Sequence, residues 1–215
     1  MIKLLKCVPS QDMAAKIAER TTDFLLLSGE GAPIPDALAN SYKDADVKTL
    51  LRAETSDKCA YCESKIPHVD YGDVEHILPK KIRPELRYEY SNLTYACGVC
   101  NTKKGQYYDV STPLVNPYLD DPEEHFVAAG PMVVRRPTSD RGLVTEKRLS
   151  LNRMALIERR TERLEAVATL LDQIARTENI AIKLVLAEQV RQECGSDKEY
   201  SFVVRSYVNA DKVMT

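Results

Sequence analysis

Two C-x-x-C pairs, Cys59-Ala60-Tyr61-Cys62 and Cys97-Gly98-Val99-Cys100, hold four of the six cysteines of this 215-residue chain. Two residues between thiolates let each pair form a knuckle that presents both sulfurs to one ion. Two knuckles complete a tetrahedral four-cysteine site with no open coordination position, which is the structural rather than the catalytic zinc pattern. Zinc binding of this kind contributes on the order of 10 kcal/mol, and that energy adds directly to folding. The same thiols suit a redox-active pair or an iron–sulfur cluster as rival uses. Two pairs in one short segment argue against the redox use. The opening MIKLLKCVPSQD reads as lacking the apolar run and cleavage site of a secretory leader, and in a cytoplasmic context such pairs are expected to favour metal over disulfides. Cys7 and Cys194 stand alone and read as small buried or half-buried residues.

A second chemistry sits between the knuckles. Asp73-Val74-Glu75-His76-Ile77-Leu78-Pro79 places an acid directly before a histidine and a proline three residues after it. Asn92 opens a short apolar stretch, and Asn101 follows the last cysteine of the second pair. The plain reading is a zinc ribbon with one ordinary histidine. Against it, an imidazole titrates near neutral pH and is a natural general base. Carboxylate and amide oxygens are ligands for a hard divalent ion, Mg2+ or Mn2+ rather than a second zinc. On a strand, Asp73 shares a face with Glu75; a metal ligand and a turn-side acid after Gly72 are equally open roles for it. Lys103 and Lys104 follow Asn101 within one helical turn, either near a phosphate or on a solvated face. Lys80, Lys81, Arg83 and Arg87 make a local basic cluster able to contact a nucleic-acid backbone. Tyr88 and Tyr90 read as packing residues, and His68 and His125 as ordinary surface histidines.

Taken together, Cys59-Ala-Tyr-Cys62, Glu75-His76-Ile77-Leu78-Pro79, Asn92 and Cys97-Gly-Val-Cys100-Asn101 resemble the HNH endonuclease family, from Cys59 to Gly105. The resemblance implies an α+β fold: a ββα-metal core with zinc-ribbon knuckles of four cysteines, flanked by N-terminal helices and a C-terminal helical region. It implies that His76 deprotonates the attacking water and that Glu75 and Asn101 hold the catalytic divalent ion. It also implies that Asn92 pins the loop carrying the base through backbone hydrogen bonds. The chain is further similar to the HNH subunits of Septu-type and retron-associated bacterial anti-phage systems, with a later Leu151-Asn152-Arg153 triplet as additional support. That similarity implies DNA, duplex in form, as substrate and an ATPase as partner subunit.

Positioning these residues falls to the flanking elements. Residues 10–28 carry apolar residues at helical spacing behind Ser10 as N-cap, and 35–54 read as a second helix burying Leu38, Val47, Leu50 and Leu51. The stretch from Pro113 to Phe126 reads as a loop with a short helical turn. Phe126 to Arg136 reads as a β-hairpin around Ala-Gly-Pro, and Leu143 to Leu151 as a continuing strand. From Asn152 onward long amphipathic helices are expected, the second ending near Gly195 and a shorter one following. The expected division is an N-terminal helical segment, 1–56; a nuclease core with its zinc site and hairpin, 57–148; and a C-terminal helical region, 149–215.

Charged residues make up 29% of the chain and hydrophobic ones 44%, as in a globular protein. No run is apolar enough to span a bilayer, and the chain reads as cytoplasmic. The net charge of −2 argues against a tight stand-alone DNA binder. A basic patch, or a partner, must supply affinity. The competing function is a zinc-stabilised nucleic-acid- or protein-binding module without catalysis.

Overall fold

In the computed structural model, residues 1–67 and 70–214 are described; His68 lies outside them. The centre is a two-stranded antiparallel ribbon followed directly by a helix. Strands β1 (Asp73–His76) and β2 (Leu93–Ala96) pair in the register Asp73↔Ala96, Val74↔Tyr95, Glu75↔Thr94 and His76↔Leu93. Helix α4 (Gly98–Lys104) starts behind Cys97, whose sulfur accepts from the Cys100 backbone N–H at 3.5 Å. All four residues of β2 are buried. The chain enters β1 through Gly72 at φ +65°, where a Cβ would collide with the Tyr95 ring. Only glycine satisfies both the left-handed backbone and the close approach.

The N-terminal part packs on this ribbon. Helix α1 (Gln11–Gly29) begins behind Ser10, whose side chain accepts from the Met13 N–H. The single helix expected over 35–54 is instead α2 (Asp36–Ala39), a 3-10 turn (Ser41–Lys43) and α3 (Ala45–Thr55). Asp44 makes the break: its carboxylate accepts from Asp46 N–H at 3.0 Å and caps α3, a local bond that competes with continuous helix. The break turns Tyr42 inward, where it is buried. Val47 and Leu51 are buried in α3, with Leu38 and Leu50 packed partly against the same core.

One buried acid ties this part to the ribbon. The Glu54 side chain is fully buried. It accepts from Lys6 Nζ at 3.1 Å, Cys7 N–H at 2.8 Å, Tyr90 O–H at 2.5 Å and Tyr118 O–H at 3.0 Å. Lys6 also donates to Leu93 O on β2, and its ammonium lies 4.4 and 4.3 Å from the Tyr90 and Tyr118 ring centroids. Removing one partner of a buried ion pair strands the other charge, at a cost of about 3–5 kcal/mol. Glu54→Ala is therefore expected to lower the urea-unfolding free energy by that amount, with Glu54→Gln recovering part of it. A loss below about 1 kcal/mol, typical of solvated pairs, would show the hub to be wet.

After Gly105 the chain runs through a turn, α5 (Pro122–His125), and a hairpin of β3 (Phe126–Ala129) and β4 (Met132–Arg135) closed at Gly130. His125 is half-buried, with Nδ1 2.7 Å from Ser139 Oγ. The strand expected from Leu143 to Leu151 is a helix, α6 (Asp140–Leu149). Ser139 caps it by accepting from Gly142 N–H, and Ser150 ends it at φ 48°. Its buried residues, Gly142, Thr145 and Leu149, recur at helical steps, whereas the adjacent Leu143 and Val144 suggested a strand. Helices α7 (Met154–Arg176) and α8 (Ile180–Glu193) pack as a hairpin, and α9 (Ser201–Met214) packs on α7 and β3. Among the described residues no helix is long and apolar enough to cross a membrane.

Candidate functional site

The four knuckle cysteines converge. Their sulfurs all lie within 4.8 Å of one another, Cys62 Sγ and Cys97 Sγ being 3.9 Å apart. Zn–S bonds of about 2.3 Å in a tetrahedron require S···S edges of about 3.8 Å, so the donor set fits a zinc held by four thiolates. None of the four forms a disulfide. Cys59, Cys62 and Cys100 are buried and Cys97 is half-buried. Burial pushes the Cys59 thiol up, so an anionic cluster needs a cation at its centre. Part of the compensation comes from outside the knuckles: the Arg153 guanidinium lies 3.7 Å from Cys100 Sγ, and Ser64 Oγ 3.3 Å from Cys62 Sγ. The Leu151-Asn152-Arg153 triplet thereby acquires a structural meaning. Leu151 O accepts from buried Arg160 at 2.8 Å, the Asn152 amide clamps both backbone groups of Val133, and Arg153 reaches the sulfurs.

A second site is lined by β1 and α4. Asp73, Glu75, His76, Asn101 and Lys104 line one cleft of about 420 Å3. His76 closes β1, buried, with its Nε2 2.8 Å from Arg87 O. A carbonyl can only accept, so Nε2 carries the proton and Nδ1 keeps the lone pair. Burial holds the imidazole down at about 4, so at neutral pH it is the free base. Its ring stands edge-on to Tyr42, with centroids 4.5 Å apart at 66°.

Asn92 faces away from the cleft and fixes the loop after His76. Its Oδ1 accepts from Leu78 N–H at 2.8 Å, and its Nδ2 donates to Leu78 O at 3.0 Å and Leu86 O at 3.2 Å. Its carbonyl accepts from Ile77 N–H. Asp73 and Asn101 meet across the cleft, Asn101 Nδ2 donating to Asp73 Oδ2 at 2.7 Å. Glu75 is buried, and its Oε1 accepts from Lys104 Nζ at 2.7 Å. Burial pushes the Glu75 carboxyl up, against the pull of that ammonium. Lys104 donates also to His76 O and is 2% exposed. Of the two sequence readings of Lys104, the solvated face does not hold: it lines the cleft and is buried against Glu75.

The basic residues divide. Lys80 and Lys81 line the cleft, joined by Lys43 and Lys48 from the N-terminal part. With Lys104 that makes five lysines against two acids, Asp73 and Glu75, a local positive field in a chain of net charge −2. Arg83 pairs with Glu85 outside the cleft. Arg87 donates to Ala39 O through Nε and Nη2, which holds α2 rather than a ligand. Lys103 is exposed on a different surface, beside Lys147 and Arg148 of α6. Tyr88 and Tyr90 are buried packing residues. Sequence reasoning missed Tyr42, Lys43, Lys48 and Arg153. The first three stand too far upstream of His76 for spacing to link them. Arg153 had a signal in its triplet, though not one that spoke of sulfur.

Among the described residues, the cysteines are the one cluster of three or more His, Cys, Asp or Glu donors converging on a point. Asp73, Glu75 and Asn101 line one cleft together. Hard oxygen donors lining an open cleft suit Mg2+ or Mn2+, which retain several waters.

Comparison with known proteins agrees with this arrangement. Residues 59–106 match the model of the HNH endonuclease family, so both knuckles and the cleft-lining strand and helix fall within the match. Two curated relatives are both called Septu protein PtuB. The one from Bacillus thuringiensis is 38% identical over 80 residues, covering 37% of this chain and 31% of the relative. The one from Bacillus mycoides (strain KBAB4) is 30% identical over 153 residues, covering 57% and 52%. The chain thus spans about a third of the first relative and half of the second. It carries an HNH domain with a four-cysteine cluster compatible with zinc.

Proposed function

We propose that this chain is a divalent-metal-dependent endonuclease that hydrolyses DNA phosphodiester bonds. In this reading it is the nuclease subunit of a cytoplasmic bacterial anti-phage complex with an ATPase partner. The observation that carries the reading is His76: a buried imidazole, its Nε2–H bound to Arg87 O, in a cleft shared with Asp73, Glu75, Asn101 and five lysines. Nδ1 takes a proton from water, and the hydroxide attacks phosphorus as the bond to the 3′-oxygen breaks. Glu75, Asn101 and Asp73 would hold a Mg2+ or Mn2+, whose chemistry there is Lewis-acid polarisation of the phosphate and relief of charge on the leaving oxygen. Lys80 and Lys81 meet the flanking backbone. Lys104 holds Glu75 and the backbone of His76 in place, so two cleft groups are set before substrate arrives. Exposed Ile180, Leu184 and Val185 on α8 support a protein-contacting role for residues 149–215.

The Lys104–Glu75 ion pair favours the competing reading, a binding module whose carboxylate is already neutralised. Incubation of the purified chain with plasmid DNA separates the two, alone and with any ATPase encoded beside it. Nicks are expected with Mg2+ or Mn2+ and none after EDTA. Binding without cleavage under every metal and partner condition would establish the module.

A further inference from the structure

We propose that Tyr42, from the N-terminal part of the chain, is a positioning residue of the nuclease cleft, fixing the plane of the His76 imidazole and the ammonium of Lys80. The inference rests on the nuclease reading of the cleft. Tyr42 lies outside residues 59–106, the part that matches the HNH family, so the family pattern does not supply it.

Four observations converge on this ring. Its face-to-edge contact with His76 is at 4.5 Å between centroids, within the range of a favourable aromatic pair. Together with the Nε2–Arg87 O bond it fixes the imidazole at two points: the hydrogen bond sets one nitrogen, and the ring sets the plane. Its hydroxyl is hydrogen-bonded by Lys80 Nζ, and the same ammonium lies 4.1 Å from the ring centroid. Lys43 Nζ and Arg87 Cζ stand at 5.7 and 5.8 Å from that centroid. The ring is buried, 5% exposed, yet borders the cleft.

A buried aromatic among three cations and the base has a physical use. Cation–π attraction holds like charges near one another that would otherwise splay into solvent. The cleft thereby keeps Lys80 placed toward a phosphate. The ring also packs against the imidazole edge-on, which limits its rotation about the bond to Cβ. A misplacement of about 1 Å in such a group can cost about 100-fold in rate.

Two variants test the two contacts. Tyr42→Leu removes the ring, and kcat on plasmid DNA is expected to fall about 10- to 100-fold, with zinc content unchanged. Tyr42→Phe keeps the ring and removes the hydroxyl that places Lys80. It is expected to keep kcat near the parent value and raise KM about three- to tenfold. The imidazole nitrogens give a readout independent of cleavage. With three histidines in the chain, the His76 signals are separable by 15N NMR. The Nε2–H proton, held by Arg87 O, should stay protected from solvent exchange in Tyr42→Phe and exchange faster in Tyr42→Leu, where the ring plane is no longer held. Parent-like protection in folded Tyr42→Leu would overturn the proposal, and so would parent KM in Tyr42→Phe; the second result stands even if Tyr42→Leu does not fold. An inactive parent protein would instead remove the nuclease reading, and the NMR comparison would still decide whether Tyr42 fixes the imidazole.

Discussion

His76→Ala is expected to lower DNA cleavage by about 100- to 10,000-fold, the range of a positioned general base, while zinc content and cooperative unfolding are retained. The reason is the division of labour around the ribbon. His76 sits at the end of β1 with its ring toward Tyr42 and the cleft, whereas the zinc ligands come from the knuckles at Cys59–Cys62 and Cys97–Cys100. The imidazole accounts for one hydrogen bond, to Arg87 O, so its removal costs about 1–3 kcal/mol of stability from an unpaired buried carbonyl. That is small beside the contribution of a zinc held by four thiolates. Cleavage rates, zinc per chain and melting temperature, measured on one preparation, separate the effects. A variant that cuts like the parent removes His76 from the mechanism. One that loses zinc with activity shows that the two sites are not independent.

The second large effect is on the zinc. Cys97→Ser is expected to lose metal and folded protein together. Structural zinc contributes on the order of 10 kcal/mol, as much as the whole net stability of an ordinary domain. The site sits where the fold has few alternatives. Cys97 caps α4, Cys100 lies inside it, and Ala60 N–H of the first knuckle bonds to Tyr95 O on β2 at 3.0 Å. Freeing the cluster releases both knuckles from the ribbon, and with them the helix that carries Asn101 and Lys104. Metal analysis and circular dichroism on the variant check this; a well-folded Cys97→Ser protein at full zinc stoichiometry would refute the four-cysteine assignment. A graded chelator titration adds a contrast. Weak chelation should stop cleavage and leave the fold intact, and only a zinc-competent chelator should unfold the chain.

Much of the site was legible in the order of residues. Two-residue spacing of thiolates, an acid beside a histidine, and a residue one turn into a helix are local relations. Chain geometry fixes each knuckle and each neighbouring pair wherever the segment folds. That the two knuckles share one ion, across 35 residues from Cys62 to Cys97, and that Asp73, Glu75, His76 and Asn101 share one cleft was what the family resemblance implied. Periodicity over α1, α7 and α8 was equally local. The reading failed at α6, where Leu143 to Leu151 was expected to continue as a strand while the buried set was Gly142, Thr145 and Leu149, at helical steps. Packing decided that case: Thr145 Oγ1 accepts from Val115 N–H, and Gly142 lets α6 pass close to His125 O.

The tertiary structure alone decided what surrounds each reactive group. Lys104 follows Asn101 by one turn in any helix, but only the placement of α4 on β1 buries it against Glu75 and makes it a buttress. Tyr42 and Lys48 come to the cleft because Asp44 ends one helical segment and starts another, a break whose direction no spacing reveals. Arg153 reaches the cysteine cluster from 53 residues beyond Cys100. Ligand identity is written in short-range spacing, which the sequence carries directly. Burial, neutralising charges and the orientation of the base depend on long-range contacts, which exist only once the apolar faces have found one another.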